Sequence, residues 1–286
     1  MSDPVAEMKM TGRIRAKFEA LRSRGEAALI PFIVAGDPNL GSTRALVLEL
    51  AARGADLIEL GVPFSDPAAD GPANQRALAR GLASGASLPA ILAMVGELRR
   101  ETAIPIVLFG YFNPILHYGC ERFSADAARA GVDGMLVVDL PPEEAEELAC
   151  PARADGLDLI HLLAPTTPIE RARRIARTGS GFLYYVAVTG VTGARSALAT
   201  GLEGRIAALR AVTTLPIAVG FGISTPAQAA EVARYADGVA VGSALSLIIE
   251  REGAGPRLLE AVGGAVGAMK DAMRAARCVD QAANGG

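Results

Sequence analysis

The stretch ALIPFIVAGDPNLGST at residues 28–43 decides the fold. Its first seven residues are apolar without alternation, which is typical of a strand that is buried on both faces of a parallel sheet. An open, dinucleotide-binding sheet would carry G-x-G-x-x-G directly after its first strand, and the loop AGDPNLGST at 35–43 does not match that motif. The stretch therefore favours a parallel α/β fold other than the dinucleotide-binding one.

The same unit repeats along the chain, because each apolar run is followed by a loop and an Ala- and Leu-rich amphipathic stretch. The apolar runs lie at 28–34, 56–60, 105–110, 134–139, 158–163, 181–188, 216–221 and 238–242. The helical stretches lie at 42–53, 73–84, 88–101, 124–130, 143–155, 168–178, 202–212, 226–234, 244–249 and 256–276. Eight strand-helix units predict a closed (β/α)8 TIM barrel of the α/β class.

The chain ends extend this barrel. Ile14, Phe18 and Leu21 recur at helical spacing, so an extra N-terminal helix is predicted at 11–24. The 286 residues fit a single TIM-barrel domain, 1–286, with the barrel at about 11–276 and a flexible tail at 277–286.

Composition limits the classes of function. Hydrophobic residues make up 51% of the chain, and the net charge of −3 comes from interspersed acidic and basic residues. No basic stripe indicates a nucleic-acid partner, and no apolar run reaches the roughly 18–20 residues of a membrane span. The N-terminal stretch MSDPVAEMKM has no apolar signal segment, and the three cysteines are too far apart for a disulfide framework. We therefore expect a cytoplasmic protein.

Two scarcities disfavour whole mechanisms. His117 and His161 are the only histidines, and neither lies in a G-x-S-x-G or H-E-x-x-H motif, so a Ser-His hydrolase or a histidine-rich metal site is disfavoured. Lys9, Lys17 and Lys270 are the only lysines, and none follows a predicted strand. A Schiff-base aldolase would therefore lack its nucleophile.

Carboxylates at strand ends are the candidates for chemistry, because the active site of such a barrel lies at the C-terminal ends of its strands. Glu59 either faces the barrel mouth as a general acid/base of raised pKa or is a surface acid at a frayed strand end. Asp70, in the long loop that follows, either accepts a proton from a substrate nitrogen or only forms an Asp-Gly turn. Asp139 is a third candidate, unless it caps the helix that starts near Glu143.

Glycine-rich loops after the last three strands predict a phosphate site. They read TGVTG at 189–193, GFGISTP at 220–226 and VGSA at 241–244. Glycine lets backbone N–H groups approach phosphate oxygens, and a helix that opens at Ser243 would present its positive end to the barrel mouth. Thr225, Pro226 and Gln228 form a capping-box pattern at another helix start. The residues alone predict a barrel enzyme that acts on a small phosphorylated substrate through carboxylates.

The segment LIELGVPFSDPAADGP at 57–72 resembles the signature of the tryptophan synthase α family. Further blocks resemble the family in the same order: PFIVAGDP at 31–38, VTGVTGAR at 188–195, VGFGIS at 219–224 and VGSA at 241–244. The resemblance covers roughly residues 14–250. It implies a lyase of L-tryptophan biosynthesis that splits indole-3-glycerol phosphate into indole and glyceraldehyde 3-phosphate by a retro-aldol cleavage.

The resemblance also implies a role for each matching position. Glu59 matches the catalytic glutamate, which would protonate indole C3 and accept the glycerol hydroxyl proton. Asp70 matches the catalytic aspartate at the indole N–H, and Thr192 matches a mobile-loop threonine that contacts this aspartate on closure. The positions that match the phosphate site are Gly193, Gly222, Gly242 and Ser243. The positions that match the pocket wall are Phe32, Tyr111, Tyr184 and Phe221. Each of these aromatic residues is as readily a plain core residue.

The family works as an αββα complex whose β subunit binds pyridoxal phosphate and receives the indole. The resemblance therefore implies a β-subunit partner and no cofactor in this chain. The loop around Pro67 and the segment Asn113, Pro114 and Ile115 match the family's partner surface. Val188 stands where many relatives carry arginine, which leaves the contacts of the closed loop open.

Three alternatives stay open. A stand-alone indole-releasing lyase would run the same reaction without a partner. A catalytically idle barrel would serve only as an interaction subunit, which the presence of both Glu59 and Asp70 disfavours. A phosphosugar isomerase would share the phosphate loops but not the segment 57–72.

Overall fold

Eight parallel strands close into a barrel in the computed structural model, which describes residues 12–187, 195–220 and 222–284, with the backbone alone at 195–200 and 279–284. Strand order follows chain order, and the last strand pairs with the first. The strands are β1 (Ala28–Val34), β2 (Ile58–Gly61), β3 (Ile106–Gly110), β4 (Gly134–Val137), β5 (Asp158–Leu163), β6 (Leu183–Val186), β7 (Ile217–Gly220) and β8 (Gly238–Val241). The predicted TIM barrel and its eight strands are confirmed.

Twelve helices surround or extend the barrel within the described residues. They are α1 (Gly12–Ser23), α2 (Leu40–Ala52), α3 (Pro72–Ala83), α4 (Leu88–Leu98), α5 (Phe112–Tyr118), α6 (Cys120–Ala130), α7 (Glu146–Ala154), α8 (Ile169–Thr178), α9 (Arg195–Arg210), α10 (Pro226–Ala233), α11 (Ser243–Glu252) and α12 (Leu258–Asn284). The predicted N-terminal helix is confirmed as α1. A 3₁₀ turn at Pro142–Glu144 precedes α7, and α12 continues past its predicted end at 276. That the whole chain is one domain with a flexible tail stays a prediction.

In the part of the chain that the structure describes, no single helix is both long and apolar enough to cross a bilayer. Helices α3 and α4 pass this test only as a pair, and the pair is bent by 92° at its junction.

The barrel interior is a packed core built from alternate strand positions. Its buried residues include Ala28, Ile30, Leu57, Val107, Leu136, Ile160, Phe182, Tyr184, Ala218 and Ala240. Ile14, Phe18 and Leu21 of α1 join this cluster, and the ring of Phe18 lies 5.6 Å from that of Phe182, at the start of β6. Helix α1 therefore closes the N-terminal end of the barrel.

The other strand positions face the surrounding helices. Leu29 and Ile33 of β1 and Ile58 and Leu60 of β2 pack in one cluster with apolar residues of α2, α4 and α12. Because both faces of each strand are buried, the strands are continuous apolar runs rather than alternating ones.

Lys270 joins α12 to the N-terminal end of the barrel. Its Nζ lies 2.7 Å from Asp56 Oδ2, 3.1 Å from the carbonyl oxygen of Ala27 and 3.3 Å from Glu26 Oε2. Asp56 Oδ2 also accepts the N–H of Leu29 at 2.9 Å. The Lys270 side chain is 2% exposed, so this ammonium is compensated by protein groups rather than by water.

Replacing this buried cation tests its structural role. Lys270→Met is expected to lower the free energy of unfolding by about 3–5 kcal/mol, because it leaves the Asp56 carboxylate buried without its nearest cation. Urea unfolding at neutral pH measures the change. Arg274→Met is the matched control, since it removes an exposed cation of the same helix that also bonds Glu26, and it should cost about 1 kcal/mol or less. Equal losses in both variants would contradict the prediction.

Candidate active site

A cavity of about 440 Å³ lies at the C-terminal ends of the strands. Glu59 and Asp70 line it together with Phe32, Gly242 and Ser243. The remaining wall is mostly apolar. Such a concave apolar pocket with a few convergent polar groups has the form of an active site.

Glu59 occupies an interior position of β2, in register with Phe32 of β1 and Val107 of β3. It is 1% exposed, and neither carboxyl oxygen has a hydrogen-bond partner among the described residues. Burial disfavours the charged form and raises the pKa of Glu59 to about 8. The alternative of a surface acid is wrong, and at neutral pH Glu59 holds a proton that it can donate.

Asp70 reaches the cavity from the loop between β2 and α3. Its Oδ2 accepts a hydrogen bond of 2.6 Å from the hydroxyl of Tyr111, which in turn accepts the N–H of Ala69 at 3.0 Å. Burial raises the pKa of Asp70, and hydrogen bonds from Tyr111 and Asn74 act against that rise. The N–H of Asp70 also bonds to the carbonyl of Pro67 at 3.1 Å. The turn therefore spans residues 67–70 rather than the predicted Asp70-Gly71 step, and Asp70 lines the cavity.

An aromatic wall forms part of the cavity. The rings of Phe32 and Phe109 are 5.1 Å apart, and those of Phe109 and Tyr184 are 6.5 Å apart. Two glycines leave room for the ring of Phe32. A Cβ on Gly61 would lie 2.8 Å from Phe32 Cζ, and a Cβ on Gly242 would lie 3.1 Å from Phe32 Cδ1. The wall is suited to a flat, apolar ring.

A second part of the cavity wall, which begins at Gly242 beside Phe32, is suited to an anion. Gly222, Gly242 and Ser243 line it, and α11 starts there without a side-chain cap. The start of α11, where no side chain caps the amide groups, therefore lies beside the cavity. Helix α10 differs, because Thr225 and Gln228 close its start in the predicted capping box, which is confirmed. The start of α11 is therefore the more suitable anion site, because the start of α10 is already capped by its own side chains.

Other candidates for the site have different outcomes. Thr192, Gly193, Phe221 and Val188 lie outside the described residues. Tyr111 does not line the cavity and instead supports Asp70 from behind.

Asp139 does not cap the helix near Glu143, as one alternative held. Its Oδ1 accepts the N–H of Phe112, the first residue of α5, at 2.8 Å. The strand β4 ends at Val137, two residues before Asp139, and Asp139 does not line the cavity but bonds the start of a helix that the sequence pattern did not predict. Across the described residues, no three His, Cys, Asp or Glu side chains form a group that suits a metal ion.

Sequence reasoning missed several residues that line the cavity. Phe109, Val138, Leu162 and Val186 each lie two positions after an interior residue of their strand. That period-two spacing is the signal that would have found them. Asn74 of α3 also lines the cavity and carries no such signal.

The contact between Gly220 and Tyr184 permits a test of the wall. A Cβ on Gly220 would lie 1.8 Å from Tyr184 Oη and 2.4 Å from Tyr184 Cζ, so the ring must move in Gly220→Ala. We expect a loss of about 1–3 kcal/mol in unfolding free energy from this overpacking. Thermal or urea unfolding measures it.

A shorter side chain at position 184 removes the cause of the clash. Tyr184→Val combined with Gly220→Ala should therefore lose less than the sum of the two single variants. Additive losses would show that the two residues do not conflict.

The chain is similar to known proteins over most of its length. A family model described as Tryptophan synthase alpha chain matches residues 18–274. The tryptophan synthase alpha chain of Citrifermentans bemidjiense is 60% identical over 258 residues, which are 90% of this chain and 96% of that relative. The crystal structure of tryptophan synthase subunit alpha from Legionella pneumophila str. Paris is similar with a TM-score of 0.86 at 40% identity, over 93% of this chain and 99% of that chain. The structure of Mycobacterium tuberculosis tryptophan synthase is similar with a TM-score of 0.83 at 35% identity, over 92% of this chain and 99% of that chain.

Proposed function

Because the chain belongs to the tryptophan synthase alpha chain family, it is a lyase of tryptophan biosynthesis, and we propose that Glu59 and Asp70 carry out its reaction. That reaction is the retro-aldol cleavage of indole-3-glycerol phosphate to indole and glyceraldehyde 3-phosphate. One observation carries the assignment: a buried carboxyl that has no hydrogen-bond partner among the described residues and a carboxylate held by a tyrosine line the same cavity.

The first step uses the different states of the two carboxyl groups. Glu59, protonated because burial raises its pKa to about 8, donates its proton to indole C3. Asp70 accepts the N–H proton of the ring, so the ring becomes its neutral tautomer with a C2=N1 double bond. The hydrogen bond from Tyr111 supports the charged form of Asp70 that this transfer requires.

The second step breaks the carbon-carbon bond. Glu59, now a carboxylate in an apolar site, takes the proton of the hydroxyl on the glycerol carbon next to the ring. The O–H electron pair forms the aldehyde C=O, and the bond from that carbon to indole C3 breaks. Its electron pair restores the C2=C3 double bond while N1 regains its proton from Asp70. Both carboxyl groups return to their starting states.

The glycines and Ser243 are proposed to bind the substrate phosphate. Gly222, Gly242 and Ser243 lie in the cavity wall beside the uncapped start of α11. Gly193 and Thr192 are proposed from the family resemblance to complete this end and to contact Asp70. Phe32, Tyr184 and Phe221 are proposed to surround the indole ring.

A β-subunit partner follows from the family, and we propose the αββα heterotetramer as its form, with pyridoxal phosphate bound by that partner and the complex in the cytoplasm. The loop around Pro67 and the exposed Asn113 of α5 are proposed as part of the docking surface. Ile115 is 7% exposed and packs in the core, so it supports this surface from beneath.

Indole release tests the proposal. The purified chain is incubated with indole-3-glycerol phosphate, with and without a tryptophan synthase β subunit, and indole is quantified. Slow release that β strongly stimulates is expected. Fast release that β does not change would indicate the stand-alone lyase. No release under either condition would leave the idle barrel or another phosphorylated substrate.

A further inference from the structure

Asn74 is a polar residue in an otherwise mostly apolar part of the cavity wall. It lies in the first turn of α3, four residues after Asp70, and lines the same cavity. Its Oδ1 accepts a hydrogen bond of 3.0 Å from the hydroxyl of Ser246 in α11. Ser246 is 2% exposed and is not part of the cavity wall, so this bond is an internal one between two helices.

The orientation of the Asn74 amide follows from what its neighbours can donate. An ionised Asp70 carboxylate accepts hydrogen bonds only, so it selects the NH₂ group of Asn74. The remaining Oδ1 then needs a donor, and the hydroxyl of Ser246 is that donor. The two ends of the amide are satisfied only in this orientation.

The spacing between the two helices is fixed close by. Arg76 of α3 bonds Glu250 of α11 through two hydrogen bonds of 2.7 and 2.8 Å. Arg76 lies two residues after Asn74, and Glu250 lies four residues after Ser246. A second contact therefore joins the same two helices close to the Asn74 amide.

We propose that Asn74 is a positioning residue, fixed by Ser246, that directs the Asp70 carboxylate toward the reacting ring nitrogen. Tyr111 holds the carboxylate through a hydrogen bond of 2.6 Å to Oδ2, and the Asn74 amide, which lines the same cavity, stabilises its charged form from the side of α3. This inference deepens the proposed function and rests on the role given there to Asp70. Helix α11 then has two roles: its start lies at the part of the cavity suited to an anion, and its Ser246 fixes Asn74.

The ionisation of Asp70 reports this arrangement. The titratable groups around Asp70 come from several elements: Tyr111 and Tyr184 are coupled to Asp70 itself, Asp139 is coupled to Tyr111, and Glu59 is coupled to Tyr184. None of these is altered by a change at Asn74. Because the amide lowers the pKa of Asp70, its removal must raise that pKa.

The test is a ¹³C-NMR titration of aspartate carboxyl groups in the full chain. The Asp70 signal is the one missing from Asp70→Asn. In Asn74→Leu we expect the Asp70 midpoint to rise by about one pH unit. In Ser246→Ala we expect a smaller rise, because the amide is then free to turn. Ser246→Ala added to Asn74→Leu should change nothing further, since the hydroxyl acts through the amide.

Gln75→Leu is the matched control. Gln75 is the next residue of α3, and its amide donates to the backbone oxygen of Asp70 at 2.9 Å rather than to the carboxylate. It should leave the midpoint in place. An unmoved midpoint in Asn74→Leu, an equal shift in Gln75→Leu, or an additive effect of Ser246→Ala would each overturn the inference.

Activity separates this inference from the proposed function. In Asn74→Leu the acid limb of kcat for indole release should move up with the Asp70 midpoint, and the rate should recover at higher pH. Shifted midpoints in a chain that releases no indole would refute the proposed function alone. Normal indole release with unmoved midpoints would refute the inference alone.

Discussion

Glu59→Gln is expected to lower kcat for indole release by about 10³-fold, with a much smaller change in KM. The amide has the size of the carboxyl group, so the cavity and the apolar wall keep their shape. It can neither give a proton to indole C3 nor take one from the glycerol hydroxyl, so both steps lose their acid and base. Steady-state kinetics with indole-3-glycerol phosphate measures the effect, and near-normal turnover would remove Glu59 from the mechanism.

The same variant carries an internal control on its fold. The pKa of Glu59 is about 8 in the folded chain and near the ordinary 4.5 in the unfolded one. Between these values the folded state binds a proton that the unfolded state does not, so this residue's contribution to stability is lost as pH rises from 4.5 to 8. Glu59→Gln should lack that loss. Urea unfolding at pH 5 and pH 8 compares the two chains, and an identical pH dependence would contradict the unpaired burial of this carboxyl.

Asp70→Asn is expected to lower kcat by about 10²- to 10³-fold, because it removes the acceptor for the indole N–H proton. An amide oxygen can still accept the hydrogen bond from Tyr111, so the loop keeps its conformation. If the variant retains most of its kcat, Asp70 is only a turn residue.

Tyr111→Phe separates orientation from proton transfer. It removes the hydroxyl that bonds Asp70 but leaves the carboxylate in the cavity. The loss of one hydrogen bond to a charged group is expected to reduce kcat by about tenfold. A loss as large as that of Asp70→Asn would mean that Tyr111 itself takes part in proton transfer.

The strands were predictable from the sequence because their signal is local. A strand buried on both faces is an apolar run, and β1 and β5 begin and end at the predicted residues. Helix α5 was missed because its seven residues are too few to show a helical period. The alternative that Asp139 caps the helix near Glu143 is wrong for the same reason, since its partner is the start of α5.

The site was predictable where the chain itself marks it. Glu59 interrupts an apolar strand, and Asp70 follows in a loop rich in proline and glycine. Asn74 was missed because its importance depends on Ser246, which is 172 residues away in sequence. Contacts between helices on the rim of a barrel leave no periodic trace in either helix.

The closure of the barrel by α1 has a consequence for the route by which substrate and products move. With Ile14, Phe18 and Leu21 packed against the interior, α1 covers the N-terminal end of the barrel, and the cavity with Glu59 and Asp70 lies at the other end. We therefore expect substrate to enter and both products to leave at the C-terminal ends of the strands. A protein bound over those strand ends would control the release of the products without contacting Glu59 or Asp70.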